Sequence, residues 1–332
     1  MNESKAQPAG VEENFSPLQI QRLPVYPGLD LLRLIAMVIV TLQHATVAAT
    51  SIEWTRLWGT SLGQYGVNIF CAISGFLAFQ DHRTAGDWLQ RRLMRLYPAY
   101  WLIVLFGFAA NALLKYKPVS FQLFVFQLAG LGGFLHADIV NIAVWFISLI
   151  LLCYGLTFIA RLSRYPFVIM AIFTSLFAYL TLQPNGFKHP HAHVLSFCLA
   201  GLIGFFPQRV QRILVTVVCV IAIPFISFVP TTAYVAFTFF LMALALQMTN
   251  VMERVHGLAG STYEYFLIHG MCFAAIGRYL RGSWWLMAIG LLLAFATSCY
   301  GAVVLRIIAT KLEKILMHAT SMVKQIILPK LS

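Results

Sequence analysis

The chain has 332 residues, of which 60% are hydrophobic and only 10% are charged, and its mean hydropathy is +0.80. A soluble domain carries about 25% charged residues, so this composition excludes a soluble globular protein and indicates a polytopic membrane protein. The net charge of +12 does not indicate nucleic-acid binding, because excess lysine and arginine in a membrane protein first serves orientation. The six cysteines lie singly in apolar runs, so they predict neither a disulfide framework nor a zinc site.

Apolar runs predict an all-α fold, a polytopic membrane helical bundle with about ten transmembrane helices. They lie at 29–49, 62–80, 96–114, 143–160, 166–183, 191–207, 211–228, 231–249, 258–280 and 284–308. An eleventh run at 119–135 is shorter and rich in glycine and glutamine. We expect it to be re-entrant or interfacial, because a full span there would move basic loops to the other side. Both termini are then cytoplasmic, together with most of the lysine and arginine residues.

Three segments follow from this pattern. Residues 1–27 are polar and lack the basic start and short apolar core of a signal peptide, so we expect a cytoplasmic N-terminal tail. Residues 28–308 form the integral membrane domain. Residues 309–332 alternate basic and apolar positions, which predicts an amphipathic cytoplasmic helix on the anionic lipids of the inner leaflet.

The first span carries the most informative pair of residues. Arg33 and His44 are separated by ten residues, so on a helix they share one face, roughly 16 Å apart along the axis. Ionisable side chains inside a membrane are costly and suggest a functional site. The alternative is that Arg33 reaches the headgroups and His44 only packs. Asp30 lies one turn before Arg33 and either neutralises the guanidinium or holds it in place.

The segment 81–101 predicts a short helix at the cytoplasmic surface. Asp87 and Gln90 resemble a capping box, and Pro98 predicts a break or kink where the next span begins. The helix would present three arginines, Arg91, Arg92 and Arg95. Arginine forks bind phosphate through paired hydrogen bonds. Ordinary positive-inside charge is the alternative explanation.

A later block, STYEYFLIHGM, places Tyr265 and His269 on one helix face. Glu264 points elsewhere, and we expect it to pair with an arginine or imidazole of a neighbouring helix. His269 is either a hydrogen-bonded packing residue or part of a site. Three further histidines lie in a predicted outer loop with spacing that can bind metal: His189, His191 and His193. Because histidines in proline-rich loops usually do not bind metal, we predict no metal site.

Five blocks occur in order over residues 26 to 269: YPGLDLLRLIAMVIVTLQHA, YGVNIFCAISGFLAF, RRLMRLYPAYW, VWFISLILLCY and STYEYFLIH. Together they resemble the acyltransferase 3 family of integral membrane acyltransferases, largely bacterial O-acetyltransferases. The first block contains the family's signature of arginine, ten residues and histidine, at Arg33 and His44. The fourth is similar to its Trp-x-x-Ser segment, at Trp145 and Ser148.

The chain departs from the family pattern at two places. Ile150 and Leu151 stand where the family often has paired glutamates, so any role of those acids is absent or passes to Glu264. Asn68 stands where aspartate is frequent. The 332 residues do not include the soluble esterase-like domain that some members carry, so we expect a stand-alone acyltransferase.

The resemblance implies transfer of an acetyl group from acetyl-CoA to a hydroxyl of a cell-surface glycan or glycolipid precursor, in a plasma membrane expected to be the bacterial inner membrane. Acetyl-CoA would be a co-substrate, with no metal and no nucleic acid involved. We assign His44 as general base, with Arg33 and Asp30 on the same face. The predicted donor-binding residues are Arg91, Arg92 and Arg95. A possible secondary site comprises Trp145, Ser148, Glu264, Tyr265 and His269.

An alternative function is a proton-coupled exporter of a small molecule or lipid-linked sugar. Buried arginine, histidine and carboxylate side chains also suit proton relays. That function predicts internal repeats and broken helices in matching halves of the chain. The sequence has no such symmetry.

Overall fold

The computed structural model describes residues 26–50, 56–115, 120–135, 144–183, 188–279 and 284–327. These residues form twelve α-helices, two 3-10 turns and one hairpin of two-residue strands, β1 (Arg56–Leu57) and β2 (Thr60–Ser61). The predicted all-α class is confirmed. The helices are α1 (Pro27–Thr50), α2 (Leu62–Ala78), α3 (Ala85–Leu114), α4 (Phe121–Leu128), α5 (Val144–Leu162), α6 (Pro166–Leu182), α7 (Lys188–Gly204), α8 (Gln208–Ala222), α9 (Thr232–Ala245), α10 (Glu253–Ala259), α11 (Thr262–Tyr279) and α12 (Trp284–Ile327).

Each of the ten predicted apolar runs overlaps one of the longer helices. Within the described residues, five helices are long and apolar enough to cross a membrane, and four shorter apolar helices accompany them. The predicted number of spans is therefore approximate. The segment 119–135 does not contain a full span, as predicted, because the eight residues of α4 extend only about 12 Å.

Three aromatic side chains of α3 hold the α4 segment in place. Tyr97 donates a hydrogen bond of 2.8 Å to the Ala129 carbonyl, and the Trp101 indole donates one of 3.0 Å to the Leu128 carbonyl. The Tyr100 hydroxyl donates a hydrogen bond to the Gln127 carbonyl. These bonds satisfy carbonyls at the end of α4 that have no partner within the helix.

Two predictions about α3, the position of its N-cap and a break at Pro98, are wrong. The N-cap is Thr84, whose hydroxyl accepts a hydrogen bond from the Asp87 backbone N–H, so the cap lies one turn before the predicted one. Pro98 lies inside a continuous helix and does not end it. Pro98 is buried, and α3 as a whole packs against α5, α11 and α12, which stabilises a helix that proline alone would destabilise.

The last helix, α12, has 44 residues and extends roughly 66 Å, more than twice the hydrocarbon thickness of about 30 Å. The predicted boundary at 308 and 309 falls inside this continuous helix. The extension beyond 308 packs against α3, where the Gln90 amide donates a hydrogen bond of 3.3 Å to the Thr320 hydroxyl. The tail is therefore helical, as predicted, as far as the structure describes it (residue 327), and its helix contacts the start of α3.

Helix α2 packs between α1 and α7 and brings three helices close together. A Cβ on Gly66 would lie 2.5 Å from the Ala36 carbonyl oxygen, so only glycine permits this approach of α1 and α2. The fully buried Asn68 joins α2 to α7 and α9 through hydrogen bonds to Ser196, Thr238 and the Tyr234 carbonyl. These contacts fix the positions of α1, α2, α7 and α9 relative to one another.

Candidate active site

A cavity of about 560 Å³ opens at the end of the bundle where α1 begins. We call it the arginine cavity. Five arginines line it: Arg33, Arg83, Arg91, Arg92 and Arg95. Its inner part is apolar and is formed by Phe70, Leu96, Phe146, Ile150 and Phe266. The cavity thus combines a cationic mouth with an apolar interior, and α3 supplies the predicted arginines to it.

Asp30 fulfils its predicted pairing with Arg33 and has a second partner. One carboxylate oxygen bonds Arg33, and the other lies 2.6 Å from Nδ1 of His256 on α10. The carboxylate itself is nearly buried, whereas the His256 side chain is 74% exposed. Asp30 therefore orients the Arg33 guanidinium and joins α1 to α10. Sequence reasoning missed His256, since nothing local relates two residues 226 positions apart.

Glu264 is fully buried at the start of α11 and pairs with Arg95 of α3, with a separation of 2.9 Å between Oε1 and Nη2. The expectation that Glu264 pairs with an arginine of a neighbouring helix is confirmed. Arg95 also donates a hydrogen bond of 3.2 Å to the Gly260 carbonyl. Arg95 is therefore held by protein groups while its side chain remains 40% exposed. No carboxylate pairs with Arg91 or Arg92 in the part of the chain that the structure describes.

Deeper in the bundle, His44 of α1 meets His269 of α11. Their ring centroids are 4.8 Å apart in an edge-to-face arrangement. Nδ1 of His269 lies 2.8 Å from the Phe266 carbonyl. Because a carbonyl only accepts, Nδ1 carries the proton in the neutral ring and Nε2 keeps its lone pair. Nε2 is buried and has no hydrogen-bond partner among the described residues.

Tyr265 completes this group, which we call the histidine cluster: Thr41, His44, Tyr265 and His269. The Tyr265 ring stacks on His269 with centroids 5.6 Å apart, which confirms that the two residues share a helix face. Thr41 lies 3.2 Å from the Tyr265 hydroxyl. The cluster is therefore built from one face of α1 and one face of α11, which pack against each other.

The aromatic ring of Phe266 connects the two regions. Phe266 lines the arginine cavity, and its ring centroid is 5.6 Å from that of His269. The ring centroids of Phe146 and Phe70 lie 4.7 Å and 6.2 Å from that of Phe266. The inner wall of the arginine cavity is therefore in contact with the histidine cluster.

Trp145 and Ser148 do not line the arginine cavity. Ser148 donates a hydrogen bond of 2.6 Å to the Gly130 carbonyl and accepts one of 2.9 Å from the Gly133 N–H. It thereby attaches the segment after α4 to α5. Trp145 packs near His193, with ring centroids 6.2 Å apart.

The expectation that His189, His191 and His193 lie in an outer loop is wrong, because all three belong to the first turns of α7. His193 is fully buried, with its ring nitrogens 2.9 Å from Asn68 Oδ1 and 2.8 Å from Gln64 Oε1. Packing of α7 against α2 explains why a polar run continues as helix. The described part of the chain contains no group of three metal-ligating side chains.

Comparison with known proteins gives a family. Residues 26–307 match the acyltransferase 3 family, an acyltransferase domain. No curated protein and no solved structure matches the chain. The matched range runs from the residue before α1 into the middle of α12 and includes the five cavity arginines and the histidine cluster. With its apolar helices and this match, the chain belongs to the acyltransferase 3 family and is an integral membrane acyltransferase.

Proposed function

We propose that the protein transfers an acetyl group from acetyl-CoA to a hydroxyl of a cell-surface glycan or glycolipid precursor, in a bacterial inner membrane with both termini cytoplasmic. The observation that carries the proposal is the contact between the arginine cavity and the histidine cluster through Phe266. A donor with charged phosphates and an uncharged thioester arm needs a cationic mouth followed by an uncharged interior. The acceptor hydroxyl needs a general base near the thioester, at the end of the arm away from the phosphates.

The mouth of the arginine cavity suits the phosphates of the donor. Guanidinium groups bind phosphate oxygens through short, charge-assisted pairs of hydrogen bonds. Arg91 and Arg92 are the strongest candidates, because no carboxylate pairs with either within the described residues. Arg33 and Arg95 are each oriented by a buried carboxylate, so they would add charge at set positions. This distribution refines the sequence prediction, which treated Arg92 and Arg95 alike.

The interior of the cavity suits the thioester arm. Phe70, Ile150 and Phe266 offer apolar contact along its length, and they exclude water from the thioester. A water-excluded site also strengthens the electrostatic interactions that act on the reacting atoms. The acyl carbon would then reach the histidine cluster from the side of Phe266.

The reaction requires removal of a proton from a sugar hydroxyl, which is a poor nucleophile at neutral pH. In the proposed step, His44 takes this proton as the hydroxyl oxygen bonds to the acyl carbon. The C–S bond then breaks, and the proton is passed to the sulfur of the leaving CoA. A positioned general base contributes typically about 10² to 10⁴-fold. The His269 ring packs edge-on against His44 and limits its rotation.

The test is mass spectrometry of surface glycans from cells that have the gene, lack it, or carry His44→Gln. We expect a loss of one acetyl mass per modified sugar in the second and third cases. Val47→Ala is the matched control, because Val47 lies one turn further along α1 and is exposed at 41%. Unchanged glycans in cells that lack the gene would contradict the proposed function.

A further inference from the structure

A second cavity, of about 400 Å³, adjoins the arginine cavity. We call it the tail cavity, because the α12 extension forms one wall and the start of α3 forms the other. Both cavities are lined by Arg83, Arg91 and Met317, so they are contiguous. The remaining lining residues of the tail cavity are Asp87, Gln90, Met94 and Thr320.

The tail cavity differs in chemistry from its neighbour. It offers a carboxylate, a side-chain amide, a hydroxyl and two methionine thioethers. Polarizable methionine side chains make favourable contacts with aromatic rings. The carboxylate of Asp87 can accept from an amino group, and the Gln90 amide, which has two N–H groups and gives one to Thr320, can donate the other to a ring nitrogen. These are the groups that recognise a purine base, with apolar faces and a rim of donors and acceptors.

The position of the tail cavity agrees with this chemistry. Arg83 and Arg91 stand at the junction of the two cavities, where phosphates that link a base to an acyl arm would lie. Along the two cavities, the polar tail cavity with its methionines comes first and the arginines at the junction come next. The apolar interior of the arginine cavity comes last. A nucleotide-bearing thioester has the same order of parts: base, phosphates and arm.

Resting on the proposed function, we propose that the tail cavity binds the adenine base of the acyl-CoA donor, so that the α12 extension takes part in donor recognition. Glu313, Met317 and Thr320 are spaced by four and three residues and therefore share one helix face. Glu313 lines the arginine cavity, Thr320 lines the tail cavity and Met317 lines both. Ile315 lies on the opposite side of the helix and is 64% exposed.

The experiment measures binding to the full chain in lipid nanodiscs by calorimetry, with CoA and inorganic pyrophosphate as separate probes. Thr320→Phe fills the tail cavity and should raise the Kd for CoA about tenfold, the equivalent of about 1.4 kcal/mol. Met94→Ala removes one apolar contact and should raise it about threefold. Neither change should alter the Kd for pyrophosphate, which has no base. Ile315→Ala is the matched control and should bind both probes as the unchanged chain does.

The outcomes separate this inference from the proposed function. An unchanged Kd for CoA in both cavity variants, with normal CoA binding by the parent chain, would overturn the base site and leave the proposed donor intact. Equal weakening of CoA and pyrophosphate would also overturn it, since the variants would then act on the phosphate contacts. Absence of CoA binding by the parent chain would overturn the proposed donor and the base site together.

Discussion

The arginine cavity and the histidine cluster both use side chains of α1 and α11, but they differ in where charge is placed. In the cavity, charged groups of α1, α3 and α12 face an open space of about 560 Å³, and three of the five arginines are paired with carboxylates. In the cluster, rings of α1 and α11 pack closely, and His269 is 1% exposed. Charge is placed where a solvated ligand enters, whereas neutral rings occupy the interior, because an unpaired charge there would be costly.

This difference yields predictions for the two regions. A change in the histidine cluster should act on the rate of transfer, and a change in the arginine cavity should act on donor binding. The variants below test that division, from the largest expected effect to the smallest.

The largest effect is expected for His44→Gln. Glutamine can hydrogen-bond but cannot accept the proton, so kcat should fall by about 10² to 10⁴-fold, the contribution of a positioned general base. The donor Kd, measured by calorimetry with CoA, should remain unchanged. Protein level in the membrane serves as the control, and Val47→Ala should keep full activity. Normal acetylation by His44→Gln would contradict the assignment and make His269 the candidate base.

Next comes Arg92→Ala, which removes a guanidinium with no carboxylate partner among the described residues. Loss of a charge-assisted contact to phosphate should cost about 1.5 to 3 kcal/mol, seen as a higher apparent KM for acetyl-CoA with little change in the acceptor KM. Unchanged donor kinetics would mean that Arg92 serves only membrane orientation.

Arg95→Ala should weaken donor use in the same way, and it also leaves the buried Glu264 without its ion-pair partner. Breaking such a pair destabilises a protein, so thermal unfolding in detergent should occur at a lower temperature than for Arg92→Ala. The double variant Arg95→Ala with Glu264→Gln should recover part of that temperature. Equal unfolding temperatures of the two single variants would show that the pair contributes no stability.

Arg33→Lys should have the smallest effect on donor binding. Lysine keeps the charge beside Asp30 but loses the planar fork, so the apparent KM for acetyl-CoA should rise if Arg33 holds its partners through paired hydrogen bonds. His256→Ala provides the comparison, because an exposed partner of Asp30 contributes about 0 to 1 kcal/mol. Full activity of Arg33→Lys would mean that Arg33 supplies charge alone.

The membrane topology can be tested without altering the residues of either region. The charge pattern predicts that the arginine end is cytoplasmic, so donor and acceptor would enter from opposite sides. Reporter fusions after Lys330 and near His191 should then report opposite sides of the membrane. Reporters on the same side would contradict the proposed arrangement.

Much of the candidate site could be predicted from helical periodicity. The shared face of Arg33 and His44, the pairing of Asp30 with Arg33 and the shared face of Tyr265 and His269 all follow from positions within one helix. The short length of the run and the placement of charge around it also predicted that 119–135 does not form a full span. Local rules were wrong at Pro98 and at the histidines of α7, because packing against neighbouring helices outweighs the propensity of a single residue.

The sequence by itself determined the membrane environment, the helical class and the spacing of side chains along each helix, because these depend on composition and on the 3.6-residue period. Only the tertiary structure decided which faces meet: His44 with His269, Arg95 with Glu264, Asp30 with His256, and the α12 extension with the start of α3. These partners lie far apart along the chain, and their contacts depend on how whole helices pack. No local pattern encodes that packing.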